Sequence, residues 1–245
     1  MTTRILTLVG AAGGVGTTRL SVEFGATLAR AGNEVAIVDA AFTTQGLSSY
    51  VPGPIEHDMT ALVTEEATLQ DVLVELDLDI PGQLTLCPAR GPFERQSRAK
   101  TAVAAERFER QLAAVSLSHD LVIVDTPPVG SNPAISALNA ADRVAIVTRP
   151  TERGADALAL TKERLGDIGN AADVIIANHA DEETKLPDAE VYVPTSESRT
   201  PQDAPAVLPP DDTFAPAVCG AVESLLDVSL ELEFPESGRL SGVFS

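Results

Sequence analysis

Lysine is almost absent from this sequence of 245 residues. It occurs only as Lys100, Lys162 and Lys185, and arginine supplies the rest of the 17 basic residues. Asp and Glu number 36, which gives a formal net charge of −19 and a pI near 4.4. At low ionic strength this charge repels nucleic acid and anionic lipid, whereas molar salt shortens the Debye length to about 3 Å and screens it. We therefore predict a protein of a salt-adapted organism, such as a halophilic archaeon.

Cysteine is also scarce, and long hydrophobic runs are missing. Cys87 and Cys219 lie far apart in apolar stretches without metal-ligand spacing, which favours buried thiols in a reducing compartment. The N-terminal apolar run is too short for a signal-peptide core and is broken by glycines. No segment approaches the roughly 18 apolar residues of a membrane span. We expect a cytoplasmic protein.

Short apolar runs alternate with longer helical patterns along the chain. Strands are predicted at residues 4–9, 34–39, 83–87, 121–125, 143–148, 173–178 and 190–193, and helices at 18–31, 93–116, 132–140, 151–165 and 213–226. Continuous apolar runs indicate strands buried on both faces, and βα repetition requires a parallel sheet. The predicted fold is α/β, with three layers and helices on both faces of a mostly parallel central sheet.

Two segments depart from this alternation. Residues 181–212 are rich in Pro, Ser, Thr and acidic residues, which predicts an irregular surface excursion with one short strand inside it. After residue 227 apolar and acidic residues alternate, a pattern typical of a strand or of disorder. We predict one domain over residues 1–227 and an acidic tail over residues 228–245.

A glycine-rich loop lies between the first strand and the first helix, where a phosphate-binding loop is expected. Its backbone N–H groups and the helix N-terminus would form a site for an anion. The candidate phosphate-contacting residues are Gly13, Gly14, Val15, Gly16, Thr17 and Thr18. The loop contains no lysine, and a plain glycine turn accounts for this motif equally well on its own.

Four segments in order, GGVGTT, VAIVDAAF, DLVIVDTPP and VIIANHAD, resemble the MinD/ParA family of deviant Walker A proteins. The resemblance extends over residues 1 to about 227. It implies a P-loop NTPase-like fold that binds ATP or ADP with Mg²⁺. It also implies that Thr18, Asp39 and Asp125 would hold the Mg²⁺ and that Asn178 would contact the adenine edge.

Three charged residues of the family pattern are missing. Ala12 stands where the family has a lysine that reaches a partner's nucleotide, and Thr17 stands where it has a lysine on the β- and γ-phosphates. Ala41 stands where the family has an aspartate that positions water. Losing the loop lysine would weaken binding about ten- to a hundredfold. A cation acting in trans contributes about 10³–10⁵ in rate. We therefore expect weakened nucleotide binding, no hydrolysis by the family mechanism and no catalytic residue.

Some assignments stay open at this point. Arg19, in the first helical turn, could lend a positive charge to the phosphates, or it could be a surface arginine. Thr18 could ligate Mg²⁺ or serve as the helix N-cap. Asp125 could be an exposed strand-end aspartate, although the DTPP segment that it begins favours the metal role.

Membrane and nucleic-acid contacts have weak support. The tail segment SLELEF places acidic residues where a lipid-binding helix carries Lys or Arg. A basic cluster is interrupted by glutamates, which favours ion pairs between residues i and i+4 on a solvated helix over a DNA or protein contact. Its members are Arg90, Arg95, Arg98, Lys100, Arg107 and Arg110, with Glu94, Glu106 and Glu109 among them.

The leading hypothesis is a non-hydrolysing MinD/ParA-like spatial regulator or scaffold. It would recruit protein partners in cell division, cell shape or polar positioning, with homodimer formation implied by the resemblance. It would be cytoplasmic, or peripheral at the membrane or pole through its partners. The alternative is a slow ATP-dependent switch in which Arg19 or a partner supplies the missing cation. A ligase or synthetase of the same superfamily is a third class, for which the sequence offers no acid–base residues.

Overall fold

The central feature of the protein is an eight-stranded sheet, which a computed structural model describes together with the rest of residues 4–181, 185–198 and 200–235. The strands are β1 (Ile5–Gly10), β2 (Glu34–Asp39), β3 (Val74–Leu76), β4 (Gln83–Cys87), β5 (Leu121–Thr126), β6 (Arg143–Thr148), β7 (Val174–Ala180) and β8 (Val191–Pro194). Their order across the sheet is β3-β4-β2-β5-β1-β6-β7-β8. All neighbours are parallel except β3, which runs antiparallel to β4.

Helices cover both faces of this sheet. They are α1 (Thr17–Arg30), α2 (Met59–Val63), α3 (Leu69–Val72), α4 (Phe93–Ala99), α5 (Ala102–Val115), α6 (Asn132–Ala140), α7 (Glu152–Asp167) and α8 (Phe214–Leu226). Alternate strand residues enter different cores: Ile37 packs with α1 and α8, whereas its neighbour Val38 packs with α5. The predicted three-layer α/β architecture is confirmed.

One local prediction is wrong, and three short elements were not predicted. The single helix expected at 93–116 is two helices, because Thr101 caps a new helix after α4 ends. The antiparallel edge strand β3 and the short helices α2 and α3 have no counterpart in the prediction. Of the two alternatives left open for the tail, a strand is not found up to residue 235, and the rest of the tail lies outside the described residues.

The segment predicted as a surface excursion is anchored in the core. It contains β8, as expected, and the side chains of Leu186, Val193 and Val207 are buried. Val207 packs in the same core as α1 and α8.

Among the described residues, no helix combines the length and apolarity needed to cross a membrane. The domain bounds at residues 227 and 228 stay a prediction.

The sheet places the predicted site residues at one edge. Parallel strands end on the same side, and the central neighbours β2, β5 and β1 run side by side. Asp39 of β2 is directly opposite Asp125 of β5, and Leu8 of β1 is opposite Asp125 on its other side. The glycine-rich loop follows β1 at this same edge.

Candidate functional site

The glycine-rich loop leaves β1 at Gly10 and turns into α1 at Gly16. Gly16 has a φ of 92°, a left-handed conformation that favours glycine, and it is the N-cap of α1. The loop is hydrogen-bonded to β6, the neighbour of β1 in the sheet, because the Ala11 amide donates to the Val147 carbonyl at 2.8 Å. The Thr17 hydroxyl points back towards the start of the loop, 2.7 Å from where a Cβ on Gly10 would lie. The loop is thus a tight turn with the helix N-terminus at its end.

The end of β7 packs against this turn. Asn178 is buried, and its Nδ2 donates to the Val15 carbonyl at 2.9 Å. A Cβ on Gly16 would collide with Asn178 Nδ2 and would lie 3.2 Å from His179 Nε2. Asn178 therefore supports the loop backbone in this structure, and its predicted contact with an adenine edge stays a prediction.

Two buried carboxylates lie beside the loop. The Asp39 side chain accepts hydrogen bonds from the backbone amides of Ala41 at 2.7 Å and of Ala89 at 3.3 Å. Burial, and then the nearby charge of Asp125, raises the pKa of Asp39. Burial also raises the pKa of Asp125, against the effect of a hydrogen bond from Thr18. Asp125 is 1% exposed, so it is a buried residue rather than an exposed strand-end aspartate.

Thr18 connects α1 to these carboxylates. It is the second residue of α1, whose N-cap is Gly16, so Thr18 is not the helix N-cap. Its hydroxyl is near enough to Asp125 to oppose the rise in the pKa of that carboxyl, and it lies 3.0 Å from where a Cβ on Gly46 would be. A Cβ at position 46 would be in unusually tight contact with Thr18, so a larger residue there would require Thr18 to shift by a few tenths of an ångström. The three residues predicted to hold Mg²⁺ are thus brought together.

The donor set fits a magnesium ion. Asp125 Oδ2 is buried and has no hydrogen-bond partner among the described residues, which is costly for a charged oxygen unless a cation or water binds it. Magnesium is held in proteins by one or two carboxylates together with substrate phosphates and waters. The described residues contain no group of three or more His, Cys, Asp and Glu side chains suited to a metal ion. Two carboxylates and a hydroxyl beside the glycine-rich loop are a donor set of the kind that magnesium takes.

Arg19 has partners away from the loop. Its Nε bonds to the buried carboxylate of Glu23, its Nη1 donates to the Thr200 carbonyl at 3.1 Å, and its Nη2 donates to the Ser198 hydroxyl at 3.3 Å. Its side chain is 18% exposed. Arg19 is therefore not a free surface arginine, and its predicted contact with phosphate stays a prediction.

The basic cluster forms ion pairs, but not at the predicted spacing. Arg95 pairs with Asp58 at 2.9 Å and with Glu66 at 3.0 Å, and Arg107 pairs with Glu65 at 2.9 Å. These acidic residues lie on the segment around α2, not one turn away on the same helix. Tertiary packing therefore determines which residues pair. Because these ion pairs neutralise part of the positive charge of the cluster, less of it is available to bind nucleic acid.

Sequence reasoning missed part of the site. The close approach of Gly46, the Leu47 amide that opposes the rise in the pKa of Asp39 and the Ala89 amide that donates to Asp39 come from loops without a motif. The one signal available was the glycine at position 46, a few residues after a strand-end aspartate. Glu23 was also missed, although its spacing of four from Arg19 is a visible signal.

A family model for an AAA domain matches residues 3–175, which is more than half of the chain. The matched region includes the loop and both carboxylates. The chain belongs to the MinD/ParA family of P-loop proteins. Its relatives include the septum site-determining protein MinD of Synechocystis, which is 30% identical over 149 residues. That alignment covers 60% of this chain and 53% of the relative, so the chain spans about half the length of the curated relatives it matches.

Solved structures of this family have the same fold. The cell division ATPase MinD of Pyrococcus furiosus superposes with a TM-score of 0.77 at 17% identity, covering 91% of this chain and 98% of that one. MinD of Pyrococcus horikoshii, solved with Mg-ADP, has a TM-score of 0.67 at 18% identity, covering 79% and 82% of the two chains. At these identities the likeness establishes the fold alone.

Proposed function

We propose that this family member is a MinD/ParA-like spatial regulator that holds a magnesium nucleotide without hydrolysing it. The nucleotide would act as a structural ligand that favours one conformation for partner proteins. The process served would be cell division, cell shape or polar positioning. The observation that carries the proposal is a complete carboxylate pair beside a phosphate loop from which the usual cations are missing.

The carboxylate pair is the strongest support for binding. Two neighbouring buried aspartates repel each other, and nothing in the described structure satisfies Asp125 Oδ2. Keeping such a pair costs folding free energy unless a cation neutralises it. Thr18 and Asp125 would hold the ion directly, and Asp39 would orient its water shell. Bound Mg²⁺ would neutralise the charge of the phosphates.

The loop backbone would hold the phosphates in place of the absent lysine. The amides in the first turn of α1 have no side-chain cap, since the N-cap is Gly16, and a helix N-terminus favours anions. We propose that these amides and those of the turn from Gly13 to Gly16 contact the phosphates. The Thr17 hydroxyl offers a neutral donor at the position of the lysine. These contacts predict binding at reduced affinity, about ten- to a hundredfold weaker than with a lysine.

The charged residues that the family pattern uses for hydrolysis are replaced in this chain. Ala12 and Ala41 offer neither a cation for a partner's nucleotide nor a carboxylate to position water. The slow-switch alternative requires Arg19 to supply the cation, and its three guanidinium nitrogens are already bonded to Glu23, Ser198 and Thr200. We therefore favour binding without turnover.

Relatives support the regulatory part of the proposal. The Synechocystis relative is named for determining the septum site. We propose by this kinship that the chain acts through protein partners and as a homodimer whose formation responds to the nucleotide. It would be cytoplasmic, and it would reach the membrane or the cell pole through those partners. The predicted adaptation to high salt belongs to the same proposal.

Calorimetric titration of Mg-ATP in concentrated KCl tests the proposal. We expect saturable binding that is lost in Thr18→Ala and retained in Thr44→Ala, a control on the loop after β2. Phosphate release should stay at the level of a blank without protein. Absence of heat at millimolar Mg-ATP would overturn nucleotide binding, and turnover above the blank would overturn the non-hydrolysing assignment.

A further inference from the structure

A buried glutamate in the middle of α1 is not used by the proposed phosphate or metal contacts. Glu23 is completely buried. A buried carboxylate is costly unless ion pairs and hydrogen bonds replace its hydration. Its partners therefore show what it stabilises.

Those partners lie on one distant segment and on Arg19. We call residues 195–208, described except for position 199, the strap. Glu23 Oε1 accepts from the Ala206 amide at 2.9 Å, and Oε2 accepts from the Val207 amide at 3.0 Å. Arg19 pairs with the same carboxylate, so both oxygens are satisfied. One side chain of α1 thus binds two successive amides of the strap.

Arg19 extends this attachment to the start of the strap. Its terminal nitrogens donate to the Ser198 hydroxyl and the Thr200 carbonyl. The Ser198 hydroxyl in turn donates to the Asp203 carbonyl at 3.1 Å, and the Thr200 hydroxyl donates to the Asp203 carboxylate at 2.8 Å. The Arg19–Glu23 pair therefore holds the strap at two places, while the buried side chain of Val207 anchors it in the core.

The strap borders the loop on the side of Gly16. Its first residue, Thr195, has its hydroxyl 3.4 Å from His179 Nδ1, and the other ring nitrogen of His179 faces Gly16. Asn178 supports the same turn of the loop through Val15. Thr195 and the end of β7 thus lie beside one side of the loop, and β1 separates β7 from the strands that carry Asp39 and Asp125. This is the side of Asn178, for which the family resemblance predicts a contact with the adenine edge, and we therefore take it as the base side.

We propose that Arg19 and Glu23 are positioning residues that hold the strap as a preformed wall on the base side of the nucleotide site. This inference rests on the proposed nucleotide site. It assigns the one cation in the first turn of α1 to the strap and not to the phosphates. Affinity for a complete nucleotide then depends on the pair, whereas affinity for phosphate groups alone does not.

Two ligands can distinguish a role of Arg19 and Glu23 in holding the strap from direct contact of Arg19 with the phosphates. Mg-ATP and magnesium tripolyphosphate share the phosphate chain, and only ATP carries a base. In Arg19→Ala and Glu23→Gln we expect Mg-ATP affinity to fall about tenfold, a loss on the scale of one charge-assisted contact, with tripolyphosphate affinity changed less than about twofold. Glutamine at position 23 keeps the size of glutamate but offers one acceptor oxygen to two strap amides. Arg110→Ala and Glu106→Gln, exposed positions on α5, are the matched controls.

Hydrogen exchange provides a second, ligand-free measurement. Without nucleotide, the Ala206 and Val207 amides should exchange at least about tenfold faster in both variants than in the wild type and the controls. Circular dichroism establishes that each variant is folded, and Glu23→Gln tests the pair if Arg19→Ala does not fold. Unchanged exchange at these amides would overturn the inference. A tripolyphosphate loss equal to the ATP loss would overturn it too, because Arg19 would then contact the phosphates.

The two proposals fail in different ways. If the wild type binds neither ligand, the proposed nucleotide site is wrong, while the exchange measurement still decides whether the pair holds the strap. If the wild type binds Mg-ATP and the variants bind it equally well, the site stands and the positioning role is wrong.

Discussion

Glycine is favoured at position 16 for two separate reasons. Its φ is 92°, and a Cβ there would collide with the Asn178 amide group. Gly32, after α1, has the same φ of 92°, but no atom lies within 4 Å of where its Cβ would be. Comparing the two positions separates backbone strain from steric collision.

We expect Gly16→Ala to destabilise the protein more than Gly32→Ala does. Gly32→Ala should cost about 1 kcal/mol from the left-handed backbone alone. Gly16→Ala should cost about 2–4 kcal/mol, because it also displaces Asn178 from Val15. Urea unfolding measures both values. Equal destabilisation of the two variants would show that Asn178 does not pack against the loop as described.

Asp125 lies at the centre of the carboxylate pair, and its replacement has opposite effects on folding and on binding. Asp125→Asn removes a buried charge beside Asp39 and provides an amide that can donate to it. We expect the melting temperature of the nucleotide-free protein to rise about 2–4 °C, equivalent to about 1 kcal/mol for a chain of this size. Added Mg-ATP should no longer raise it.

Calorimetric scans with and without Mg-ATP test this expectation. Asp77→Asn, at an exposed position, is the control and should leave both values unchanged. A melting temperature for Asp125→Asn below that of the wild type would contradict the repulsion between the two carboxylates.

At the scale of elements, the break between α4 and α5 depends on Thr101. Its hydroxyl accepts from the Ala104 amide at 3.4 Å and donates to the Arg98 carbonyl at 2.9 Å. The residues on either side are good helix formers, so propensity alone favours one continuous helix. The break lets Lys100 reach the Thr43 hydroxyl at 2.8 Å, on the loop that follows β2.

We expect Thr101→Ala to lower the free energy of unfolding by about 0.5–2 kcal/mol, the usual range for loss of an N-cap. Ser131→Ala is a matched control, because Ser131 is the N-cap of α6 without a side-chain capping bond. Its substitution should cost less than about 0.5 kcal/mol. Chemical denaturation of both variants gives the comparison, and an equal cost would argue against Thr101 as the residue that starts α5.

At the scale of the whole molecule, the net charge of −19 opposes folding at low salt. Raising KCl from about 0.1 M to about 1 M shortens the Debye length from about 10 Å to about 3 Å. We expect the melting temperature to rise most steeply over this range and to level off above it. Replacing the exposed Glu106, Glu109 and Glu163 by Gln should reduce the salt response. A melting temperature independent of KCl would contradict the predicted adaptation to high salt.

Much of the central sheet could be predicted from local patterns. The bounds of β2, β4 and β6 agree with the prediction, because strands buried on both faces are continuous apolar runs bounded by polar residues. The edge strand β3 was missed because Val74 and Leu76 are only partly buried, Glu75 between them is exposed, and the three residues form no such run. The helix break at Thr101 was missed because a cap inside a helical pattern is hard to distinguish from an ordinary polar position.

The amino-acid sequence by itself determined the α/β class and the lysine-free, glycine-rich loop between a strand and a helix, since these depend on residue types and short spacings. The candidate residues Thr18, Asp39 and Asp125 came from the resemblance of its motifs to the MinD/ParA family, and their roles stay predictions. Only the tertiary structure decided that Asp39 and Asp125 face each other across neighbouring strands and leave one oxygen unsatisfied. It also decided that Arg19 bonds to Glu23 and the strap. The physical reason is that strand pairing and burial join residues far apart in the chain, and no local pattern encodes which of them will meet.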